Sequence, residues 1–306
     1  MNLNQRLRGH LFAGFTILIW GTTFISTKIL LRSFSPAEIL FIRFVFGYLA
    51  LWAFNPRMLH LKERRHELWC AIAGLCGITI YYSFENIALL YSTASNIGVI
   101  VSTAPLFTAI LAGFFLKGER LKPSFFAGFA AAIAGVFLLN YSGSAVELSP
   151  KGDLLALAAA VAWGVYSIMV RRLSEAGYTP ALLTRRFFLW GLVFMSPYVV
   201  ILGFTPTLET LSQPVNLFNL VHLSFLASAL GFVTWNTAVS YLGAVKSSVY
   251  IYMTPVVTII VAAAVLGEHL TLMGAAGVLL VIIGVILSDG HYPRLSRRKE
   301  ETRHVG

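Results

Sequence analysis

The stretch NIALLYSTASNIGVIVSTAP, residues 86–105, recurs 150 residues later as NTAVSYLGAVKSSVYIYMTP, residues 236–255. Other short motifs recur with similar spacing, so the repetition is not confined to this stretch. The matched positions are Trp20-Gly21 with Trp163-Gly164, Lys28 with Arg171, Arg43 with Arg186, Asn86 with Asn236, Tyr91 with Tyr241, Pro105 with Pro255, and Gly118-Glu119 with Gly267-Glu268. The chain is therefore a fused duplicate of one unit.

The composition makes a lipid bilayer the solvent of this unit. Hydrophobic residues are 57% of the chain and charged residues only 12%, which is more apolar surface than 306 residues can bury in water. A helix needs roughly 20 apolar residues to cross a bilayer, and ten such runs are present. They cover residues 11–31, 36–54, 68–91, 94–116, 122–141, 152–172, 180–204, 217–241, 244–267 and 270–289. The runs are continuous rather than alternating, which predicts an all-α membrane protein and excludes barrel strands.

The ten spans divide into two inverted five-helix repeats. Because each repeat has an odd number of spans, the second repeat enters the membrane from the side opposite to the first. We expect a short tail at 1–10, the first repeat at 11–141, an external linker at 142–151, the second repeat at 152–289, and a basic tail at 290–306. Inverted repeats are typical of secondary transporters that work by alternating access.

The net charge of +10 reflects topology rather than a nucleic-acid partner. With the N-terminus inside, 17 lysines and arginines lie in cytoplasmic segments, whereas only Arg32 and Lys151 lie outside. This asymmetry follows the positive-inside rule and predicts a multi-pass protein of the cytoplasmic membrane with both termini cytoplasmic. The first span is a permanent anchor, because it has no small-residue cleavage site.

These motifs resemble the drug/metabolite transporter superfamily, and specifically its EamA-type members. The resemblance rests on the Trp-Gly pairs, the repeated stretches ending at Pro105 and Pro255, and the sequences Gly-Glu-Arg-Leu at 118–121 and Gly-Glu-His-Leu at 267–270. It implies ten helices around a central cavity lined mainly by helices 1, 3, 4, 6, 8 and 9. It also implies movement of small metabolites in either direction, without identifying the metabolite.

Glu85 is the candidate around which the predicted substrate site is arranged. A carboxylate inside a span costs about 2.5–3.5 kcal/mol on insertion scales, so something must compensate for it. Three interpretations remain open: a counter-charge for a cationic substrate, a protonatable group that couples transport to protons, or a structural partner of Arg43 or Arg186. The equivalent position in the second repeat is Trp235, which is therefore also a candidate: an acid facing an aromatic ring across the pseudo-symmetry axis would suit an organic cation.

Aromatic and amide side chains surround this candidate. Trp20 and Trp163 fall near the middle of their spans, where an interfacial role is not available, and Tyr81 and Tyr82 precede Glu85 by four and three residues. Rings around a carboxylate suit a desolvated ammonium, although simple helix packing is the alternative for each ring. The remaining candidates are Tyr166, which follows Trp163 by three residues, and Asn86 and Asn236, which would orient a substrate through hydrogen bonds.

Two duplicated pairs carry further predictions. Pro105 and Pro255 free backbone carbonyls near Val101 and Ile251, so each either kinks its helix as a gate or forms a static kink. Arg43 and Arg186 are either structural or anion-binding. Glycines in helices 5 and 10 predict a tight scaffold or a dimer contact, so we expect a monomer or a homodimer.

Enzymes and channels are the competing classes. Only His222 lies inside a span, Cys70 and Cys76 face different sides of a helix, and no ATP-binding loop is present, so we expect neither catalysis nor a cofactor or metal. A channel is disfavoured by the inverted repeat. The sequence predicts a secondary transporter of a small polar metabolite, favouring an organic cation or an amino acid. The alternative is an exporter of drugs, sugars or anionic metabolites that uses Arg43 and Arg186.

Overall fold

The computed structural model describes residues 3–92, 94–116, 123–141, 149–266 and 272–289, and no β-strand occurs among them. These residues form ten membrane helices, here numbered 1 to 10 in chain order. The helices are Leu3–Leu30, Pro36–Phe54, Arg64–Tyr91, Ala94–Val101 with Ala104–Phe115, Pro123–Tyr141, Pro150–Glu175, Pro180–Leu202, Pro214–Leu242, Ala244–Ser248 with Val249–Met253 and Thr254–Leu266, and Leu272–Asp289. A short helix, Leu208–Ser212, precedes helix 8.

The protein is an all-α membrane protein of two inverted five-helix repeats, as predicted. Five described helices, numbers 1, 2, 3, 6 and 8, are long and apolar enough by length and composition to cross a membrane, and shorter apolar helices accompany them. We call the end of the bundle where helix 1 begins and helix 10 ends the termini face, and the opposite end, where helix 6 begins, the linker face. Helix 1 begins at Leu3, so most of the expected N-terminal tail is helical.

The two repeats share one core, because helices of one repeat pack against helices of the other. Helix 1 packs against helices 8 and 9, and the equivalent helix 6 packs against helices 3 and 4. Helices 2 and 7 pack against each other. At the crossing of helices 1 and 9, a Cβ atom added to Gly21 would lie 2.5 Å from Cγ1 of Val257. At the crossing of helices 6 and 4, a Cβ atom on Gly164 would lie 3.1 Å from the backbone nitrogen of Thr108. The duplicated Trp-Gly motif thus provides the close approach in both crossings.

Irregular turns interrupt equivalent helices in the two repeats. Helix 3 contains a π-helical segment at Leu75–Ile80, and helix 8 contains one at His222–Leu230. Helix 4 breaks at Ser102–Thr103, just before Pro105, and helix 9 winds as a 3₁₀ helix over Val249–Met253, just before Pro255. Proline explains both positions, because its ring and missing N–H disrupt the preceding turn. An interruption of regular α-helix thus precedes each of the two prolines.

Helices 5 and 10 form a tight pair within one chain. A Cβ atom on Gly128 would lie 2.5 Å from the carbonyl oxygen of Gly284, and one on Gly135 would lie 2.7 Å from the carbonyl oxygen of Gly277. Small residues allow such close approach without a hydrophobic driving force. These glycines thus belong to an intramolecular scaffold. The repeated Gly-Glu motifs, most of the linker and the basic C-terminal tail lie outside the described residues.

Candidate functional site

A cavity of about 510 Å³, including the space at its mouth, lies between the two repeats. Its walls come from helices 1, 3, 4, 6 and 9, which are five of the six helices expected from the resemblance. The lining residues are Trp20, Thr23, Phe24, Tyr81, Tyr82, Glu85, Gly98, Val101, Ser102, Ala104, Trp163, Ile251 and Thr254. Four residues of the predicted substrate site, Trp20, Trp163, Tyr82 and Glu85, are therefore brought together.

Glu85 supplies the carboxylate of this cavity. It follows the π-helical segment of helix 3 by five residues and is 3% exposed. Tyr81, one helical turn earlier, forms a side-chain hydrogen bond with the carboxylate. Within the described ranges, no lysine or arginine nitrogen lies within 4.0 Å of it. A carboxylate so buried, with no contacting cation among the described residues, is a candidate for binding a positively charged ligand.

Two tryptophans from equivalent positions of the repeats form the aromatic floor of the cavity. The ring centroids of Trp20 and Trp163 are 5.3 Å apart in an edge-to-face arrangement, and Tyr81 lies 5.0 Å from Trp163. Nε1 of Trp20 donates to the carbonyl oxygen of Ala227 at 3.0 Å, which fixes that ring against helix 8. The ring of Trp235 is tilted by 40° relative to that of Trp20, with the centroids 5.2 Å apart. Trp235 is fully buried and does not line the cavity. Helix 8 thus supports the floor from behind.

Two hydroxyl groups of the cavity are held as acceptors. Ser102 donates its proton to the carbonyl oxygen of Gly98 at 2.6 Å, and Thr23 donates to the carbonyl oxygen of Trp20 at 2.8 Å. Each hydroxyl oxygen keeps lone pairs that can accept a hydrogen bond. Together with the carboxylate of Glu85, these oxygens give the cavity several hydrogen-bond acceptors.

Neither predicted arginine lines the cavity. Arg43 is 1% exposed, donates from Nε to Oγ of Ser228 at 2.9 Å, and places its guanidinium 4.3 Å from the ring centroid of Tyr82. Arg186 instead forms a two-point ion pair with Glu67, at 2.8 Å and 2.7 Å. Of the two arginines considered as partners of Glu85, Arg186 is therefore engaged elsewhere, and Arg43 is separated from direct contact.

The other predicted site residues lie behind the cavity wall. Tyr166 donates to Oδ1 of Asn236 at 2.7 Å, and Nδ2 of Asn236 donates to Oγ1 of Thr184 at 2.8 Å. Asn86 is fully buried, with Nδ2 donating to the carbonyl oxygen of Pro36 at 3.4 Å. Pro105 and Pro255 are both buried at the helix interruptions next to the cavity, beside the lining residues Ala104 and Thr254.

Sequence reasoning missed a polar contact between helices 1 and 8. His222 lies between Oγ1 of Thr22 and Oγ of Ser26, each 3.1 Å from one ring nitrogen. About two hundred residues separate these partners along the chain, so no local pattern predicts the contact. In the described part of the chain, no group of three histidine, cysteine or acidic side chains is placed to bind a metal ion.

The cavity lies toward the linker face, while the termini-face side of the bundle is closed by direct contacts. His10 and Tyr250 share a hydrogen bond of 2.7 Å between helices 1 and 9. Nearby, a Cβ atom on Gly9 would lie 2.8 Å from the Leu242 side chain, so helices 1 and 8 touch. The cavity in the described structure thus lies on the linker-face side of the aromatic floor.

Comparisons with known proteins agree with this architecture. Residues 7–141 and 150–288 each match the EamA-like transporter family. A protein of Archaeoglobus fulgidus named as an uncharacterized transporter is 31% identical over 91% of this chain and 96% of its own length. A probable terminal-alkyne amino-acid exporter of Streptantibioticus cattleyicolor is 30% identical, covering 93% and 94%. A probable amino-acid metabolite efflux pump of Salmonella typhimurium is 26% identical, covering 89% and 91%.

A solved crystal structure has the same fold, with a TM-score of 0.73 and 22% identity over 92% of this chain and 97% of its own. The duplicated motifs, the ten-helix inverted architecture and the two family matches lead to one conclusion. The chain belongs to the EamA-like transporter family, and it is a multi-pass membrane transporter rather than an enzyme.

Proposed function

We propose that this protein is a secondary transporter that moves a small metabolite with an ammonium group, an amino acid or a related amine, across the cytoplasmic membrane by alternating access. The observation that carries this proposal is the carboxylate of Glu85, which is buried in an aromatic cavity between the repeats. Among the described residues, no lysine or arginine nitrogen lies within 4.0 Å of this carboxylate, which supports a role as the counter-charge of the ligand.

The pattern of acceptors favours a primary ammonium. The Ser102 and Thr23 hydroxyls give their protons to backbone carbonyls, so they offer oxygen lone pairs beside the Glu85 carboxylate. A primary ammonium has three N–H donors and can use several acceptors at once, whereas a quaternary ammonium has none. The Trp20 and Trp163 rings would add cation–π attraction of about 0.5–2 kcal/mol and enclose the apolar part of the ligand.

The paired helix crossings support alternating access. Helix 1 contacts helix 9 at Gly21, whose carbonyl oxygen accepts a hydrogen bond of 2.6 Å from Oγ1 of Thr258. Helix 6 contacts helix 4 in the equivalent way, with Gly164 close to Thr108. Both crossings lie beside interrupted helices, 4 and 9, whose free carbonyls near Pro105 and Pro255 allow bending. We infer that exchange of the two crossings moves the cavity from one face to the other.

The charge distribution indicates how the protein is oriented in the membrane. The positive-inside rule places both termini in the cytoplasm, so the described cavity would face outward from the cell. The Streptantibioticus and Salmonella relatives are named for export of amino acids or their metabolites. These names favour an amino acid over other amines, and export over import. An anionic or sugar substrate has less support, because neither Arg43 nor Arg186 lines the cavity.

Counterflow in proteoliposomes tests the proposal. Vesicles loaded with an unlabelled amino acid should accumulate the same labelled compound transiently and saturably, and a pH-sensitive dye in the lumen reports whether protons move in exchange. Empty vesicles and vesicles loaded with a sugar are the controls. Uptake that rises linearly with concentration, without counterflow, would indicate a channel and contradict the proposal.

A further inference from the structure

A second cavity, of about 640 Å³ including the open space at its mouth, lies at the termini-face end of helices 2 and 7. It is separate from the Glu85 cavity and shares no lining residue with it. Helix 7 contributes Leu182, Leu189, Arg185 and Arg186, and helix 2 with the following segment contributes aromatic and apolar side chains, including Trp52. The cavity therefore combines an apolar interior with two guanidinium groups.

The two arginines of this cavity have different electrostatic partners. Arg186 is neutralised by its two-point ion pair with Glu67. Arg185 is only 6% exposed, and its two terminal nitrogens donate to the backbone carbonyls of Asn55 and Arg57. Among the described residues, no carboxylate forms an ion pair with Arg185. Carbonyl oxygens satisfy hydrogen bonds but do not cancel a unit charge, and a buried cation without a counter-charge is costly.

The surroundings of Arg185 place it at the membrane interface. Its guanidinium lies 5.3 Å from the ring centroid of Trp52, which is 40% exposed at the end of helix 2. Tryptophans in this position mark the headgroup level of a bilayer. Met58, which is 65% exposed, also lines the cavity, so its rim is apolar. A ligand that satisfies this site has an anionic head and a hydrocarbon tail.

The inverted repeat shows that this charge is particular to one face. The position equivalent to Arg185 in the first repeat is Ile42, although the neighbouring arginines, Arg43 and Arg186, are duplicated. The linker-face end of helix 2 therefore lacks the second cation at this position. Under the orientation proposed above, Arg185 faces the cytoplasmic leaflet, which contains the anionic phospholipids.

We propose that this cavity is a binding site for an anionic phospholipid, whose phosphate pairs with Arg185 and whose acyl chain lies against Leu182, Leu189 and Met58. The lipid supplies the counter-charge that the described side chains do not. A bound lipid would also join helix 2 to helix 7 across the repeats. The proposal does not depend on the substrate bound at Glu85.

Thermal unfolding and native mass spectrometry of the full-length protein in detergent test this site. The probes are a short-chain phosphatidylglycerol, the matching phosphatidylcholine and inorganic phosphate. We expect phosphatidylglycerol to raise Tm and to remain bound as a mass adduct. The same concentrations of phosphatidylcholine or phosphate should have no comparable effect. Equal stabilisation by phosphatidylcholine would contradict the proposal, and stabilisation by phosphate alone would indicate a free-anion site instead.

Three substitutions locate the site. Arg185→Gln should weaken phosphatidylglycerol binding about tenfold or more, since a charge-assisted contact is lost. Arg57→Gln, at an exposed neighbouring arginine, should leave it nearly unchanged. Leu189→Trp should also remove binding by filling the cavity, and it decides the question if Arg185→Gln fails to fold. An equal loss in Arg57→Gln, or undiminished binding in Leu189→Trp, would overturn the proposal.

Discussion

The guanidinium of Arg43 lies 4.3 Å from the ring centroid of Tyr82, and the same tyrosine forms part of the wall of the cavity that contains Glu85. Arg43, which is buried, is thus held behind an aromatic side chain, with Ser228 of the second repeat as its hydrogen-bond acceptor. This arrangement connects helices 2, 3 and 8. It also leaves Glu85 as the ionisable carboxyl group among the lining residues of the cavity.

Arg43→Ala should therefore reduce stability more than Arg186→Ala. The first change removes a buried hydrogen bond and a cation–π contact and leaves a void, at a cost of about 2–4 kcal/mol. The second removes an ion pair whose side chains are 34% and 29% exposed, and solvent screening reduces its cost to about 1 kcal/mol. Unfolding in mixed micelles measures both values. A larger loss of stability for Arg186→Ala would show that burial of Arg43 does not determine how much that residue contributes to the free energy of unfolding.

The close approach at Gly21 gives a second prediction. Gly21→Ala should destabilise the protein by about 1–3 kcal/mol and slow transport, because the added methyl group overlaps Val257 of helix 9. Gly14→Ala is the matched control on the same helix, since nothing lies within 4 Å of its added Cβ atom. The control should be neutral or slightly stabilising, as alanine favours helices. Comparing unfolding and counterflow rates of the two variants checks this, and equal behaviour would argue against the crossing as a moving contact.

Tyr166→Phe tests whether the Tyr166–Asn236–Thr184 network is structural. Removing the Tyr166 hydroxyl leaves Oδ1 of Asn236 buried without its hydrogen-bond donor, so stability should fall by about 1–3 kcal/mol. Ligand affinity should stay within about twofold, because neither Tyr166 nor Asn236 lines the cavity. Tyr91→Phe, at an exposed tyrosine, is the control for stability. A large loss of affinity with unchanged stability would instead place the network in direct contact with substrate.

The ten helices and their inversion could be predicted from the sequence, because apolar run length, charge asymmetry and the repeat are properties of whole segments. The sequence also identified Trp20, Trp163, Tyr82 and Glu85 as candidates, and these four residues line one cavity. Asn86, Asn236 and Trp235 were also predicted to line the cavity but lie outside its lining. A helix that is apolar on all sides has no sequence pattern that separates the side facing the cavity from the packed side. The π-helical segments of helices 3 and 8 rotate the residues that follow them about the helix axis, and no local residue pattern predicts these segments.

The contacts between the two repeats could not be predicted from the sequence for a different reason. Arg43 with Ser228, and His222 with Ser26, join residues nearly two hundred positions apart. Their pairing depends on how the two halves pack, which propensity and spacing do not encode. Arg185 was missed because its neighbour Arg186 is the duplicated residue, although the absence of a counterpart at Ile42 distinguishes it.

Ligand-induced stabilisation of the purified protein, compared with Glu85→Gln, tests the central claim most directly. The panel contains amino acids, primary amines, choline, sugars and carboxylates, and Glu209→Gln, at an exposed glutamate of the short helix Leu208–Ser212, is the matched control. A ligand at a hundred times its Kd should add about 2.7 kcal/mol of stability. We predict that a primary ammonium compound stabilises the parent and Glu209→Gln but not Glu85→Gln. Equal stabilisation of all three proteins, or a response to sugars and carboxylates alone, would contradict the assignment of Glu85 as the counter-charge.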